Sequence, residues 1–158
     1  MNPEQPTLRR ATLSDVAEIV ALTDAAYAKY IPRIGRKPQP MTTDYRPFVN
    51  EHSVWVLQLE QQLAGVLVLQ QEPDALLIYS VAVHPAHQKR GFGRLLLAWA
   101  EQEAQQAGYT SICLYTNARM EENIALYTQL GYQETQREAY LDNVRVYMRK
   151  QLLPTATT

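Results

Sequence analysis

A mixed α/β fold in a single domain is the class this sequence predicts, and three observations carry it. Apolar runs of strand length recur along the chain, stretches of helical period separate them, and no repeat or composition break divides the 158 residues. A chain of this length buries roughly 70% of its unfolded surface, enough for one substantial core. With 46% hydrophobic and 20% charged residues and a single Cys, the composition excludes a disordered chain and a disulfide framework. Fifteen Lys+Arg against 16 Asp+Glu give a net charge of −1, which argues against a broad nucleic-acid surface. No apolar stretch approaches the ~20 residues of a membrane span, and no apolar run opens the chain. A cytoplasmic protein without a membrane partner is expected.

Thr7–Ala11 is predicted as a first strand. Ser14-Asp15 cap the next helix, whose apolar positions Val16, Ile19, Val20, Leu22 and Tyr27 fall at helical spacing. That helix is expected to end near Ile31-Pro32, because the residue before proline avoids the helical region. Pro32 to Pro47 holds four prolines and, with Lys29 just before it, a basic cluster of Lys29, Arg33, Arg36, Lys37 and Arg46 against Asp44. It is expected as an irregular loop of substrate size, with a short helix from Thr43 to Asn50. Val54–Leu57 and Leu63–Leu69 flank a polar turn and form a hairpin, and Leu76–Val83 is apolar enough for a central strand. Gly91–Ala107 is a helix stopped by Gly108, Ser111–Thr116 a strand, and Met120–Leu130 a helix stopped by Gly131. Tyr132–Gln136 and Val144–Arg149 are the last strands. The order is β-α-(α)-β-β-β-α-β-α-β-β.

The most informative segment runs from Val81 to Arg94. A buried strand enters a short turn and then a helix that begins Gly91-Phe92-Gly93. The first turn of a helix carries unpaired N–H groups and partial positive charge, and glycines leave an anion room to approach. Lys89, Arg90 and Arg94 add countercharge, so the loop suits a diphosphate. The third glycine of a Rossmann turn is replaced by Leu96, and the Lys-Ser/Thr pair of a Walker loop by Arg94-Leu95.

Gln88-Lys89-Arg90-Gly91-Phe92-Gly93 resembles the Q/R-x-x-G-x-G/A signature of the GNAT superfamily of acyl-CoA N-acyltransferases, and Val81–Pro85 resembles its lead-in strand. Ile124-Ala125-Leu126-Tyr127, three residues, then Gly131-Tyr132 is similar to the family's second landmark. The resemblance spans nearly the whole chain. It implies a mixed, mostly antiparallel twisted sheet of about six to seven strands flanked by about four helices. The implied domain is 1–150, with a flexible tail at 151–158.

The resemblance also implies acetyl-CoA as cosubstrate and a primary amine as acceptor. Its pantetheine arm would pair with the backbone of Val81, Ala82 and Val83, and its pyrophosphate would rest on Gln88, Lys89, Arg90, Gly91, Phe92, Gly93 and Arg94. The Val83 amide would face the thioester oxygen, Asn123 would serve the coenzyme arm, and Tyr127 would be general acid to the departing thiolate. The acidic residue that many family members carry before the phosphate loop is absent, since Leu77 and Tyr79 stand there. Deprotonation then falls to water, to Tyr79, or to substrate that arrives already neutral. Tyr27, Tyr30, Arg33 and Tyr140 are the acceptor candidates, which suit an amine that also bears an acidic group. His84 and His87 lack carboxylate or cysteine neighbours in sequence, so no metal site is predicted. Cys113, between Ile112 and Leu114, is expected in the core. The oligomer is expected to be a monomer or homodimer. The competing expectation is a non-catalytic acyl-CoA-binding module.

Overall fold

The computed structural model describes residues 5–154. Seven strands form one sheet in the order β1-β2-β3-β4-β5-β7-β6. They are β1 (Thr7–Arg10), β2 (Val54–Leu59), β3 (Gln62–Gln71), β4 (Leu76–Val83), β5 (Ser111–Asn117), β6 (Gln133–Tyr140) and β7 (Asn143–Gln151). The helices are α1 (Val16–Tyr27), the single turn α2 (Ile31–Ile34), α3 (Arg46–Asn50), α4 (Phe92–Gln106) and α5 (Glu121–Gln129). The pairs β1–β2, β2–β3, β5–β7 and β6–β7 are antiparallel and β4–β5 is parallel, so the expected fold class holds.

The chain divides into two compact units. The first consists of the chain up to Leu69 together with Ser80–Trp99. Its core is β3, where every residue from Leu63 to Leu69 is buried, with Ile19 and Leu22 of α1 and Leu96 and Leu97 of α4. An apolar run without alternation is what a strand covered on both faces requires. Glu18 of α1 accepts the Leu63 N–H at 2.6 Å, which ties the helix to the start of β3.

Asp15 is the cap residue of α1, as the sequence suggests, and a 3₁₀ turn over Leu13–Asp15 precedes the helix. Thr12 caps that turn, and the Asp15 carboxylate accepts the Thr12 N–H at 2.7 Å. A carboxylate three residues after a threonine closes a capping box. The same carboxylate takes two hydrogen bonds from Arg9, at 2.8 and 3.0 Å. The Arg9 hydrogen bonds hold the Asp15 pKa below its ordinary value. A depressed carboxylate stabilises the fold above its unfolded pKa, near 3.9, and that contribution is lost as pH falls through the folded value. Asp15→Asn should therefore lower Tm at pH 7, and the gap from the native protein should close below about pH 3.9, read by thermal unfolding at both pH values.

The helical path also runs past Ile31-Pro32. A 3₁₀ turn over Ala28–Tyr30 leads into α2, with Pro32 in its first turn and Gly35 ending it. Proline costs nothing there, because the first-turn N–H groups have no intrahelical acceptor. The Pro-rich stretch that follows is anchored by Tyr45, which is 1% exposed and donates its hydroxyl to the Pro40 carbonyl.

The second unit consists of Gln70–Tyr79 and the chain from Ala100 on. Its core is built from Ile112, Leu114, Tyr132, Val146 and Met148 with Ala100 and Ala104. β4 and β5 pair over Leu76–Ile78 against Ile112–Leu114. β6 is the terminal strand and exposed throughout, and a register shift between Glu134 and Gln136 and a Glu134–Arg137 ion pair interrupt its edge. Such features discourage pairing with further strands. β7 runs through Gln151, Leu152 donates its N–H to the Thr110 carbonyl at 2.9 Å, and Gln105 donates to the Leu153 carbonyl at 3.0 Å. The tail expected from 151 is thus held at its start, and its residues 155–158 lie outside the described ones.

Candidate functional site

In the first unit the site begins with the backbone direction of β4. The His84 N–H donates to the Ala64 carbonyl of β3 at 2.8 Å. Backbone groups of successive strand residues point to alternate sides, so Val81 and Val83 turn theirs away from β3. Both outward carbonyls carry a side-chain donor. The Tyr27 hydroxyl meets the Val81 carbonyl at 2.9 Å, and the Gln88 carboxamide meets the Val83 carbonyl at 3.1 Å. The outward N–H groups of these two residues point the same way.

The turn into α4 is shaped by Lys89 and Gly91, at φ 67° and 83°. A left-handed lysine costs about 1–2 kcal/mol, whereas glycine adopts that region freely. Left-handed residues within a run of ordinary ones turn successive N–H groups to one side, a concavity suited to anions. His84 Nδ1 accepts the Ala86 N–H at 3.0 Å. Arg90 lies over the Phe92 ring at 5.0 Å and reaches His87 Nδ1 at 3.3 Å. The two histidines thus shape the turn. Lys89, Arg90 and Arg94 are exposed, and Phe92 is buried as the first anchor of α4.

In the second unit α5 carries Tyr127 inward, buried at 9% exposure. Gly131, at φ 98°, ends the helix. Its N–H donates to the Thr128 carbonyl at 3.1 Å, and the Tyr132 N–H donates to the Tyr127 carbonyl at 3.0 Å. Those two bonds form a Schellman cap, which brings the residue after the glycine against the one five positions earlier. Accordingly the Tyr127 and Tyr132 rings pack edge to face, with centroids 5.9 Å apart. The Tyr-x-x-x-Gly-Tyr spacing is therefore the covalent statement of how Tyr127 is held. Burial pushes its phenol up to about 12 and pushes that of Tyr132 higher still.

Tyr30 is 4% exposed, with Lys29 and Arg33 over its ring at 5.1 Å each, so its ring packs inside its unit. The expectation for Cys113 needs correction. Cys113 points to the sheet face opposite Ile112 and Leu114. There it is half-buried and lines a cavity of about 320 Å³ with Leu77, Tyr115, Tyr147 and Arg149. Burial raises its thiol pKa, which disfavours a nucleophilic thiolate. Tyr79 and Asn123 are half-buried, on β4 and α5. Tyr140 is 43% exposed at the end of β6, where its ring lies 3.7 Å from the Arg145 guanidinium carbon, a neighbour with no motif to announce it.

No helix among the described residues is long and apolar enough to cross a membrane. The chain is 25% identical over 140 residues to the uncharacterized N-acetyltransferase YjgM of Escherichia coli K12, a match covering 83% of this chain and 84% of that one. It is 32% identical over 78 residues to the [ribosomal protein bS18]-alanine N-acetyltransferase of Salmonella typhimurium LT2, covering 49% of this chain and 53% of that one. Its fold is similar to the solved structure of yncA, a putative acetyltransferase from Salmonella typhimurium with its cofactor acetyl-CoA. That similarity has a TM-score of 0.71 at 21% identity, over 98% of both chains. The profile of the Acetyltransferase (GNAT) family matches residues 19–132, which takes in the strand, the glycine turn and the capped tyrosine helix. On that match, the chain belongs to the GNAT family of acetyltransferases.

Proposed function

We propose that this GNAT acetyltransferase moves the acetyl group of acetyl-CoA directly to a primary amine in a ternary complex, with Tyr127 as general acid. The acceptor class is a small amine, an amino acid or a peptide N-terminus. The outward backbone of Val81 and Val83 beside the glycine turn carries the proposal most strongly. It supports a role for Val81, Ala82 and Val83 in pairing with the amide-rich pantetheine arm, as an added strand pairs with a sheet edge. In that exchange Tyr27 and Gln88 release the carbonyls they hold. The positive end of α4, with Gln88, Lys89, Arg90, Gly91, Phe92, Gly93 and Arg94, is assigned to the pyrophosphate.

The bonds balance as follows. The neutral amine nitrogen attacks the thioester carbonyl carbon, the C–N bond forms and the C–S bond breaks. The nitrogen loses a proton to water, directly or relayed through the Tyr79 hydroxyl, the sulfur takes one from the Tyr127 hydroxyl, and solvent returns a proton to Tyr127. The Val83 N–H donates to the oxygen that becomes negative between those events. Asn123 is assigned to the coenzyme arm.

A thiol-release assay with acetyl-CoA and a broad amine panel tests this. Release that depends on the amine, with the acetylated amine recovered, is the expected result. Coenzyme binding with no thiol release for any amine would instead identify a non-catalytic acyl-CoA-binding module.

A further inference from the structure

Most of the basic side chains that make ion pairs here are easily accounted for. Arg9, Arg46, Arg137, Arg149 and Lys150 each meet a carboxylate within 3.4 Å. Arg145 is different. It is half-buried on β7, with its guanidinium carbon 4.2 Å from the Tyr115 ring centroid and 3.7 Å from that of Tyr140. The phenols of Tyr147, Tyr115 and Tyr140 lie around it. Glu138 faces it across the β6–β7 ladder, but that carboxylate accepts the Tyr147 hydroxyl at 2.7 Å.

Among the described residues no carboxylate makes an ion pair with this half-buried guanidinium, so it has lost hydration that its ring contacts return only in part. The rings of Tyr115 and Tyr140 lie within cation–π distance of it, and a guanidinium's N–H donors lie in its own plane. Planar presentation of that kind matches a carboxylate. The position is also maintained under strain. Leu141 and Asp142 form a two-residue hairpin turn at φ 49° and 65°, which fixes Tyr140 opposite Asn143. A leucine in the left-handed region costs about 1–2 kcal/mol. Arg145 pairs with Asn117, the last residue of β5, so it lies at the carboxyl end of a parallel-paired strand, where open sheets collect ligands.

We propose that Arg145, flanked by the rings of Tyr115 and Tyr140, recognises a carboxylate on the acceptor amine and so selects amino acids or acidic peptide ends. The proposal rests on the acetyltransferase reading for the word acceptor, and the test separates the two. Steady-state rates are measured for amino acids against their carboxamides, and for Asp-first against Asn-first peptides, with the native protein, Arg145→Gln and Arg145→Lys. Binding of N-acetyl-L-tyrosine and of its carboxamide is measured by calorimetry on the same three proteins, each checked for native far-UV circular dichroism.

The native protein should favour the acids by at least about tenfold in kcat/KM, through KM, as one bidentate carboxylate contact allows. Both variants should lose that preference, because lysine keeps the charge but not the plane. Carboxylate-dependent binding that the variants abolish, with no turnover of any amine, would sink the acetyltransferase reading and leave the carboxylate site standing. Equal handling of acids and carboxamides by the native protein overturns the proposal. So does a preference that survives in Arg145→Gln, which would make the stack a structural clamp. A fall in CoA affinity in Arg145→Gln also overturns it, since the anion would then belong to the coenzyme.

Discussion

Tyr127→Phe should lower kcat for amine acetylation by about 10²-fold or more and leave acetyl-CoA affinity essentially as it was. The substitution removes one oxygen from a side chain that is buried and packed edge to face on Tyr132. The ring, the Schellman cap and the apolar contacts stay, so the fold has no reason to change. What disappears is the only proton that this side chain can give. The effect belongs in kcat because the thiolate exists only after the C–S bond begins to break, and a donor to it contributes nothing to the ground state. Steady-state kinetics with saturating acetyl-CoA, alongside direct coenzyme binding, reads both halves. An unchanged kcat would remove Tyr127 from the mechanism.

The pH profile sharpens that expectation. Burial pushes the Tyr127 phenol up to about 12, against about 8.5 for an ordinary thiol. The protonated form is the active one for an acid, and it persists until the pH reaches the raised value. Ionisation of Tyr127 therefore contributes no loss of rate between about pH 8 and 11, and kcat should rise as the amine deprotonates and then hold level. Full transfer to the sulfur is uphill by about 3.5 units, or roughly 5 kcal/mol, so the phenol acts as a strong hydrogen-bond donor while the bond breaks and yields its proton late. A falling limb centred near pH 10 that disappears in Tyr127→Phe would show an unperturbed phenol and contradict this account.

The fold was legible wherever burial is one-sided or complete. β3 and β4 are apolar runs because neighbours cover them, and α4 repeats apolar residues because one stripe is inside. β6 was only half visible. Its strand runs from Gln133 to Tyr140, well past the expected Gln136, through residues that are all exposed. An edge strand with two wet faces carries no alternation, and only its ladder with β7 defines it. The chain past Ile31 was misjudged for a related reason, since the rule about proline describes the residue before it and not a first helical turn.

The candidate site divides in the same way. Where the backbone itself is the functional part, glycine writes the requirement into the sequence. Gly91 and Gly131 mark the turn and the cap, and both take left-handed φ. Side-chain constellations leave no such mark. Tyr115, Tyr140 and Arg145 come from three strands, and their meeting depends on the register Asn117 to Arg145 and Glu138 to Arg145. Spacing along the chain could not have joined them. Tyr30 shows the converse, an aromatic beside basic residues in the sequence whose ring the fold buries.

Gly93→Val should raise the KM for acetyl-CoA by about 10- to 100-fold while the free protein unfolds close to the native temperature. A Cβ at Gly93 meets only Val83 Cγ2, at 3.9 Å, which is ordinary van der Waals contact. Nothing in the folded chain therefore requires glycine there, and Gly93→Ala should even gain up to about 1 kcal/mol from helix propensity. What a side chain does cover is the approach to the first N–H groups of α4. A charge-assisted hydrogen bond is worth about 1.5–3 kcal/mol, and losing one to a phosphate oxygen gives the stated range. Gly91→Ala is the contrasting case. Nothing lies within 4 Å of its Cβ either, but its φ of 83° strains any other residue, so that variant should lose about 1–2 kcal/mol of stability before any coenzyme is added. The two glycines of one motif thus separate by thermal unfolding of the free protein. If Gly93→Val binds acetyl-CoA as the native protein does, the pyrophosphate does not rest on the start of α4.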